Sequence, residues 1–310
     1  MRFLRHEDVT SALGVADAVE VMRDTLAARA RGDLVSPHRS GFRVGRAGLV
    51  WTPGGCQDSG ILGLRLYLTG VGSPDQVTLV WNAEGELDGM AVGPALGRLR
   101  TAALGGVAMD ALAARDAATL GVVGFGAQGW AQAEAAMAVR PIRRAVVYRR
   151  TAERLREDAA RASREWGIPV EAAPDAKTVA GEADILVLAT TAAKPVVRAE
   201  WIRPGTHVNS LGPKQRARSE IGGDLVARAE ILVSDVPEQY RAEEEFLLSG
   251  LPRIDALGDL AAVVAKPPVR PRDAVSLFLS HGLPGTEVAL LAAALRRART
   301  AGLGAELVLS

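Results

Sequence analysis

The sequence predicts an α/β protein in which an α+β domain is combined with a doubly wound parallel sheet. After residue 115 of the 310, short apolar strands alternate with helical stretches, the pattern of a parallel sheet covered by helices on both faces. Before residue 115, short apolar runs are separated by glycine, proline, aspartate and asparagine, which indicates antiparallel strands and turns. A complete glycine-rich turn follows the first strand of the second region, and it favours a sheet of the Rossmann type.

Composition excludes several classes of protein. Hydrophobic residues make up 48% and charged residues 24% of the chain, as in ordinary globular proteins. The 37 lysines and arginines nearly balance the 36 aspartates and glutamates, so a net charge of +1 gives no broad positive field for nucleic acid or membranes. Cys56 is the only cysteine, which excludes an intramolecular disulfide. A single cysteine suits a reducing compartment and no apolar run reaches about 18 residues, so we expect a cytoplasmic protein. The near-zero net charge favours a small-molecule partner.

The first region begins with an amphipathic helix. Val15, Val19, Met22 and Leu26 recur at helical spacing among charges, and Gly32 is placed to end the helix. The following pattern predicts strands at 48–52, 63–68, 77–81 and 89–92 and a helix over 101–114. The second region predicts strands at 119–124, 144–148, 170–172, 184–189, 207–211 and 231–235, with helices over 128–139, 151–166 and 286–300.

The motif Gly-x-Gly-x-x-Gly occurs at Gly124, Gly126 and Gly129. The three glycines meet three needs of a dinucleotide site: a tight turn, close approach of the backbone to a pyrophosphate, and close packing of helix on strand. Because the motif follows a predicted strand and opens a predicted helix, dinucleotide binding is favoured over a purely structural turn. Ala127 and Gln128 complete the predicted cofactor loop.

The residues after the second predicted strand bear on the choice between NAD and NADP. An acidic side chain there would bind the ribose hydroxyls, but the chain has Arg149, Arg150 and Thr151 instead. Two cations at the start of a helix oppose its macrodipole, so an anion between them is expected; NADP is favoured and NAD stays open. The alternative is a solvated helix face with ion pairs at i,i+4 spacing, Arg149 to Glu153 and Arg154 to Asp158.

Three arginines of the first region are candidate ligands for an anionic substrate group. Arg39 follows a proline turn, Arg65 lies in an apolar strand, and Arg100 is predicted at the entrance of a helix beside exposed N–H groups. A guanidinium in such a place can bind a carboxylate through two hydrogen bonds. The alternative is that they are solvated, as most cationic side chains of a protein are.

Lys214 follows a predicted strand at the carboxyl edge of the parallel sheet, where doubly wound folds bind ligands. It either faces a bound nicotinamide or is a solvated loop residue. The stretch 237–250, with Tyr240, is expected to be a solvated helix rather than part of the site. The four histidines lack metal-ligand spacing and no nucleophile motif occurs, so no metal is expected.

Five segments, in this order and spacing, resemble the ornithine cyclodeaminase and mu-crystallin superfamily over nearly the whole chain. They are 99–103, 124–128, 183–187 with Thr190 and Thr191, 205–212, and 277–282. The resemblance implies an N-terminal α+β domain for substrate binding and dimerisation, completed by the C-terminal helix, with a Rossmann domain between. We therefore expect one domain of residues 1–114 with 288–310, a second of residues 115–287, and a homodimer.

The resemblance also implies NAD(P)-dependent chemistry at the carbon next to a carboxylate. Members of the superfamily include cyclodeaminases, amino-acid dehydrogenases and reductases of cyclic ketimines. The positions implied for carboxylate binding are Arg39, Arg65 and Arg100, and those near the cofactor are Thr190, Thr191, Leu211 and Ser280.

Two positions depart from the pattern that the resemblance implies. Arg65 stands where known members carry an active-site lysine, and arginine cannot lose its proton to act as a base. Lys214 stands where cyclodeaminases carry a catalytic aspartate, and without that base the cyclisation step is disfavoured. We therefore favour an NADP-dependent reductase of a small α-imino carboxylate, or a dehydrogenase of the matching amino acid, with Lys214 and Arg65 as catalytic candidates. The alternatives are a cyclodeaminase-type ammonia lyase and a non-catalytic NADP-binding protein.

Overall fold

The computed structural model describes residues 1–72, 75–243, 245–246 and 253–308. The chain forms two compact units, Met1–Ala103 with Gly282–Ser310, and Leu104–His281. The sequence-based boundaries, at 114/115 and 287/288, differ from this division in two places. The structural boundary at 103/104 falls inside the helix Ala95–Leu112. The structural boundary at 281/282 places Glu287 in the first unit, where it pairs with two arginines.

In the described part of the first unit, eight strands form a mixed sheet. The strands are β1 (Arg2–Leu4), β2 (Leu34–Val35), β3 (Ser40–Val44), β4 (Ala47–Cys56), β5 (Ile61–Thr69), β6 (Gln76–Trp81), β7 (Leu87–Val92) and β18 (Ala305–Glu306). The order is β18, β1, β7, β6, β5, β4, β2, with β3 paired to β4, and the pairs are antiparallel except for β1 with β7. The helices are α1 (His6–Ala12), α2 (Val15–Arg31), the start of α3 (Ala95–Leu112) and α10 (Thr286–Ala301).

Helix α2 confirms the amphipathic helix that the sequence predicts. Val19, Met22 and Leu26 are buried, so the apolar stripe faces the core of the unit. The helix ends at Gly32, whose φ of 85° lies in the left-handed region that side chains other than glycine rarely adopt.

The two faces of the first sheet differ. Helix α10 packs on one face, against β4, β5, β6 and β7, where Gly63 and Arg65 of β5 are buried. The other face carries apolar side chains that are half-buried or exposed. We call this surface the leucine face; it comprises Leu62, Leu64, Leu66 and Leu68 of β5 with the cross-strand neighbours Leu49 and Trp51 of β4 and Val77, Leu79 and Trp81 of β6.

In the described part of the second unit, eight parallel strands form one sheet. The strands are β8 (Thr119–Val123), β9 (Arg144–Tyr148), β10 (Val170–Ala172), β11 (Ile185–Leu188), β12 (His207–Ser210), β15 (Ile231–Ser234), β16 (Gly258–Asp259) and β17 (Ser276–Leu279). Their order is β10, β9, β8, β11, β12, β17, β15, β16, so the chain reverses direction across the sheet between β8 and β11. That point is where doubly wound folds bind their ligands. The two-stranded pair β13 (Lys214–Gln215) and β14 (Arg218–Ser219) is separate.

Helices cover both faces of the parallel sheet. They are α4 (Ala127–Val139), α5 (Leu155–Trp166), α6 (Ala176–Glu182), α7 (Gly223–Arg228), α8 (Pro237–Ala242) and α9 (Leu260–Ala265), with short 3-10 helices at Ala152–Arg154, Ala199–Trp201 and Ile254–Ala256. Strand β11 is buried along its whole length because alternate residues enter different cores: Ile185 and Val187 one, Leu186 and Leu188 the other. The predicted Rossmann-type sheet is therefore confirmed. Within the described residues, none of the helices combines the length and apolar composition needed to cross a bilayer.

Candidate functional site

The glycine turn after β8 has the shape that a dinucleotide requires. Gly124 has a φ of +96°, and a Cβ there would lie 2.4 Å from the carbonyl oxygen of Ala189. A Cβ at Gly129 would lie 2.4 Å from the carbonyl oxygen of Gly124, so this glycine permits the close approach of α4 to the turn. At Gly126, which caps α4, a Cβ would meet no atom of the described residues within 4 Å. The open position and the helix N-terminus fit a diphosphate group.

The other two residues of the predicted cofactor loop lie at the start of α4. Ala127 is exposed and is the first residue of the helix. Gln128 is half-buried, and its Oε1 atom is buried without a hydrogen-bond partner among the described residues. Such an acceptor is costly to leave unsatisfied, which is consistent with a ligand at this end of the helix.

Arg149, directly after β9, reaches back to the glycine turn. Its Nη1 atom donates to the carbonyl oxygen of Phe125 at 3.2 Å and to Asp158 of α5 at 2.5 Å. The expected alternative pairing of Arg149 with Glu153 is therefore wrong in its partner, because α5 presents Asp158 to Arg149. Arg150 and Thr151 are exposed.

Glu220, which the sequence analysis missed, organises the loops at the carboxyl ends of β11 and β12. The residue is fully buried. Within the described residues its carboxylate accepts four hydrogen bonds: from the backbone N–H and hydroxyl of Thr190 at 2.9 and 2.8 Å, from the hydroxyl of Ser210 at 2.8 Å, and from the N–H of Gly212 at 2.6 Å. A Cβ at Gly212 would lie 2.3 Å from this carboxylate, so only glycine fits there.

Lys214 lies on β13 and is 4% exposed, so the solvated-loop alternative is wrong. Its Nζ atom donates to the carbonyl oxygens of Gly212 at 2.7 Å and Ser280 at 2.8 Å. Burial lowers the pKa of Lys214 from 10.5 to about 8, against the opposing fields of Glu220 and Asp235. We call Lys214, Glu220 and Asp235 the lysine cluster.

Aromatic side chains lie near Asp235 of the lysine cluster. Asp235 is fully buried and accepts a hydrogen bond from the backbone N–H of His281 at 2.8 Å. The ring of Tyr240 lies 4.7 Å from that of Phe246 and 5.6 Å from that of His281. Tyr240 is fully buried, so the expectation of a solvated helix is wrong for this residue, and residues 244 and 247–250 of that stretch lie outside the described residues. Burial, Asp235 and Glu220 raise the pKa of Tyr240 well above its usual value.

The remaining predicted cofactor residues of the second unit are brought to the same loops. Thr190 is bound by Glu220 and lies beside the glycine turn, since a Cβ at Gly124 would approach its Cγ2 atom to 3.0 Å. The carbonyl of Thr191 accepts from Arg218, the N–H of Leu211 donates to Leu188, and the N–H of Ser280 donates to Ser210.

In the first unit, Arg65 and Arg100 share one buried carboxylate. The Oε1 atom of Glu287 lies 3.1 Å from Nη1 of Arg65 and 2.9 Å from Nη2 of Arg100. Arg65 also donates to Gln76 at 2.7 Å. We call Arg65, Arg100 and Glu287 the arginine cluster. Arg100 lies inside α3, which begins at Ala95, so its predicted place at a helix entrance beside free N–H groups is wrong.

The arginine cluster holds two cations and one carboxylate, a formal charge of +1. Burial lowers the pKa of Arg65, and the cations of Arg100 and Arg39 act in the same direction, which also brings Arg39 into this neighbourhood. Burial acts to raise the pKa of Glu287, but the fields of Arg100 and Arg65 outweigh it and the pKa is lowered. A buried site with surplus positive charge and planar donors suits an anionic ligand such as a carboxylate.

Comparison with known proteins identifies the family. The model of the ornithine cyclodeaminase/mu-crystallin family matches residues 78–301. The chain belongs to this family. The matched region contains the glycine turn, the whole lysine cluster, and Arg100 and Glu287 of the arginine cluster. Arg65 lies before it.

Several named proteins are similar to this chain over much of its length. A putative dehydrogenase of Rhizobium meliloti is 32% identical over 66% of this chain, and the aligned region spans 64% of that relative, less than two thirds of its length. An iminosuccinate reductase of Paracoccus denitrificans is 31% identical over 69% of this chain and 67% of its own. The structure of a Thermococcus litoralis Δ1-pyrroline-2-carboxylate reductase, in complex with NADH and L-proline, matches with a TM-score of 0.91 at 26% identity, covering 99% of this chain and all of that one.

Proposed function

We propose that the protein is an NADP-dependent reductase of a small α-imino carboxylate, or a dehydrogenase of the matching α-amino acid, that also accepts NAD. The observation that carries this proposal is the pairing, in one chain, of a dinucleotide-shaped glycine turn with a buried arginine cluster of positive charge. The names of the Paracoccus and Thermococcus relatives support the same reaction class. The proposed location is the cytoplasm, since a chain with one cysteine suits a reducing compartment.

The proposed division of roles follows the two clusters. Arg100 and Arg65 bind the substrate carboxylate, and Arg39 adds positive charge beside Arg65. The proposed cofactor contacts are Gly124, Gly126, Ala127, Gln128, Gly129, Arg149, Arg150, Thr151, Thr190, Thr191, Leu211 and Ser280. A bound nicotinamide cofactor supplies or accepts the hydride at the carbon next to the carboxylate.

Lys214 is the proposed proton donor to the imine nitrogen. With a pKa of about 8 its ammonium is charged at neutral pH yet can release a proton, which is the balance that general acid catalysis needs. Two of its three N–H bonds are held by the carbonyls of Gly212 and Ser280, so the direction of the third is fixed. Arg65 serves catalysis by orienting the carboxylate and not as a base.

We also propose a homodimer formed through the leucine face. Monomeric proteins rarely leave a contiguous apolar sheet surface of this kind open to water, and Leu62 and Leu68 are 55% and 40% exposed. Replacement of Leu66 by Glu at the centre of the face would convert the dimer to a monomer in sedimentation or light-scattering experiments. Val269→Glu is the matched control, because Val269 is 97% exposed and lies outside the face. An unchanged mass for both variants would refute the leucine face as the interface.

The reaction is tested with purified protein. NADPH and NADH oxidation is followed against cyclic imino acids and against 2-oxo acids with ammonia or methylamine. Turnover with NADPH on any of these establishes the reductase and identifies the substrate class. Release of ammonia from ornithine without net cofactor consumption would indicate a cyclodeaminase, and tight NADPH binding without turnover would indicate a non-catalytic binding protein.

A further inference from the structure

A carboxylate lies at the adenosine end of the proposed cofactor site, although none of the residues directly after β9, 149–152, is acidic. Arg149 is the first residue beyond β9, the strand whose end borders the adenosine ribose in doubly wound folds. Its guanidinium contacts the glycine turn through the carbonyl of Phe125. Asp158 lies 2.5 Å from the same Nη1 atom. Helix α5 therefore brings to this place the acidic group that the strand end lacks.

The pair is accessible to a ligand. The side chains of Arg149 and Asp158 are 25% and 29% exposed, so neither is sealed in the core. Arg150, the next residue, is exposed. A 2′-phosphate bound here would be attracted by the Arg150 cation. It would also compete with Asp158 for the Arg149 guanidinium, and the Asp158 carboxylate would repel it. A ribose hydroxyl of NADH would instead donate a hydrogen bond to that carboxylate without repulsion.

We propose that Asp158 is a specificity-determining residue that limits the preference for NADPH over NADH. The proposal rests on the cofactor site described under the proposed function. The carboxylate neutralises Arg149 and so leaves Arg150 as the main cation for the 2′-phosphate. Without Asp158, both guanidinium groups act on the phosphate together.

The test is equilibrium binding of NADPH and NADH to the full-length protein, measured by cofactor fluorescence without substrate. Asp158→Asn is expected to lower the Kd for NADPH about tenfold and to leave the Kd for NADH within about threefold of the original value. Glu157→Gln is the matched control, since it removes the same charge from the neighbouring, exposed position of α5 and is expected to leave the ratio of the two Kd values within about twofold. An equal change in both Kd values for Asp158→Asn would overturn the proposal.

A second variant keeps the test independent of how well Asp158→Asn folds. In Arg149→Gln the carboxylate loses its cation, so the Kd for NADPH should rise by a larger factor than that for NADH. Adding Asp158→Asn to this variant should then lower the Kd for NADPH by less than about threefold, compared with about tenfold in the parent. An undiminished gain would overturn the role of the pair. A parent protein that binds both cofactors but reduces no imino acid would contradict the proposed reaction alone, whereas one that binds neither would refute the cofactor site and this proposal together.

Discussion

The two buried charge clusters of this protein have opposite balance. The arginine cluster combines two cations with one carboxylate, and the lysine cluster combines one cation with two carboxylates. In the first, Glu287 uses a single oxygen to bind both guanidinium groups and cannot neutralise them. In the second, Glu220 directs its oxygens to backbone and hydroxyl donors of two loops rather than to Lys214.

The comparison shows that two buried clusters with opposite formal charge suit different chemical tasks. The arginine cluster retains a positive surplus that an external carboxylate can neutralise, which suits its proposed role in substrate binding. The lysine cluster holds one ammonium against carbonyl oxygens under a surplus of negative charge, so burial is opposed and the pKa stays near 8 instead of falling further. Such a value suits the proposed role of Lys214 as a proton donor.

The largest effect is expected when the arginine cluster loses its positive surplus. Arg100→Met leaves Arg65 paired with Glu287, a formal charge of zero, and removes donors for the substrate carboxylate. We expect kcat/KM for the imino acid to fall about 1,000-fold. Steady-state kinetics measures this, with Arg98→Met as control because Arg98 is an exposed residue of the same helix. A loss below about tenfold in a variant that keeps its Tm would show that the cluster does not bind substrate.

The next effect concerns the scaffold of the lysine cluster. Glu220→Gln replaces one carboxylate oxygen, which accepts hydrogen bonds, by an amide NH2 group, which donates them. The side chain is fully buried and four donors point at it, so some of them would lose their acceptor. We expect the free energy of unfolding to fall by about 3 kcal/mol, measured by urea denaturation. Glu230→Gln, at an exposed position, should change it by less than about 0.5 kcal/mol. Equal stability of the two variants would contradict the organising role of Glu220.

Local patterns predicted much of the scaffold but missed β17, which lies between β12 and β15 in the parallel sheet. Strand β9 spans Arg144–Tyr148 and α2 spans Val15–Arg31, as the apolar periodicity and the glycine stop predict. The glycine turn was also predictable, because each of its constraints acts within a few residues. Alternation along β5 predicted a strand but not which face is packed: the four leucines lie opposite the face that α10 covers, where Gly63 and Arg65 are buried.

The acidic partners in the two clusters could not be predicted from local sequence patterns. Glu287 meets Arg65 across 222 residues of sequence and Arg100 across 187, and neither spacing has a local signature. Glu220 is preceded by Arg218 and Ser219 in a polar stretch that resembles an exposed loop, and only the fold shows that four donors surround its side chain. Asp158 was placed on the right helix but assigned the wrong arginine, because the pairing depends on where β9 ends beside α5.

The pH dependence of the lysine cluster gives a third test. In the proposed mechanism charged Lys214 donates the proton, so the rate of reduction should fall about tenfold per pH unit as pH rises beyond about 8. The folded pKa lies below the ordinary 10.5, so the unfolded chain binds more protons between these values and stability should rise with pH there, by on the order of 3 kcal/mol in all. Lys214→Met should abolish both trends, measured by kinetics and urea denaturation, whereas Lys177→Met, at an exposed site, should retain them.

The smallest effect is expected when the arginine cluster gains positive charge instead of losing it. Glu287→Gln raises the formal charge of the arginine cluster from +1 to +2, so the Kd for a simple carboxylate such as acetate should fall about threefold, measured by calorimetry, while exposed Glu84→Gln leaves it unchanged. The lowered pKa of Glu287 means that its contribution to stability is present above the ordinary value of 4.5 and is lost as pH falls through the folded pKa. The stability difference between the original protein and Glu287→Gln should therefore shrink on acidification. Weaker acetate binding by Glu287→Gln would mean that Glu287 serves to hold the guanidinium groups in place more than to limit their charge.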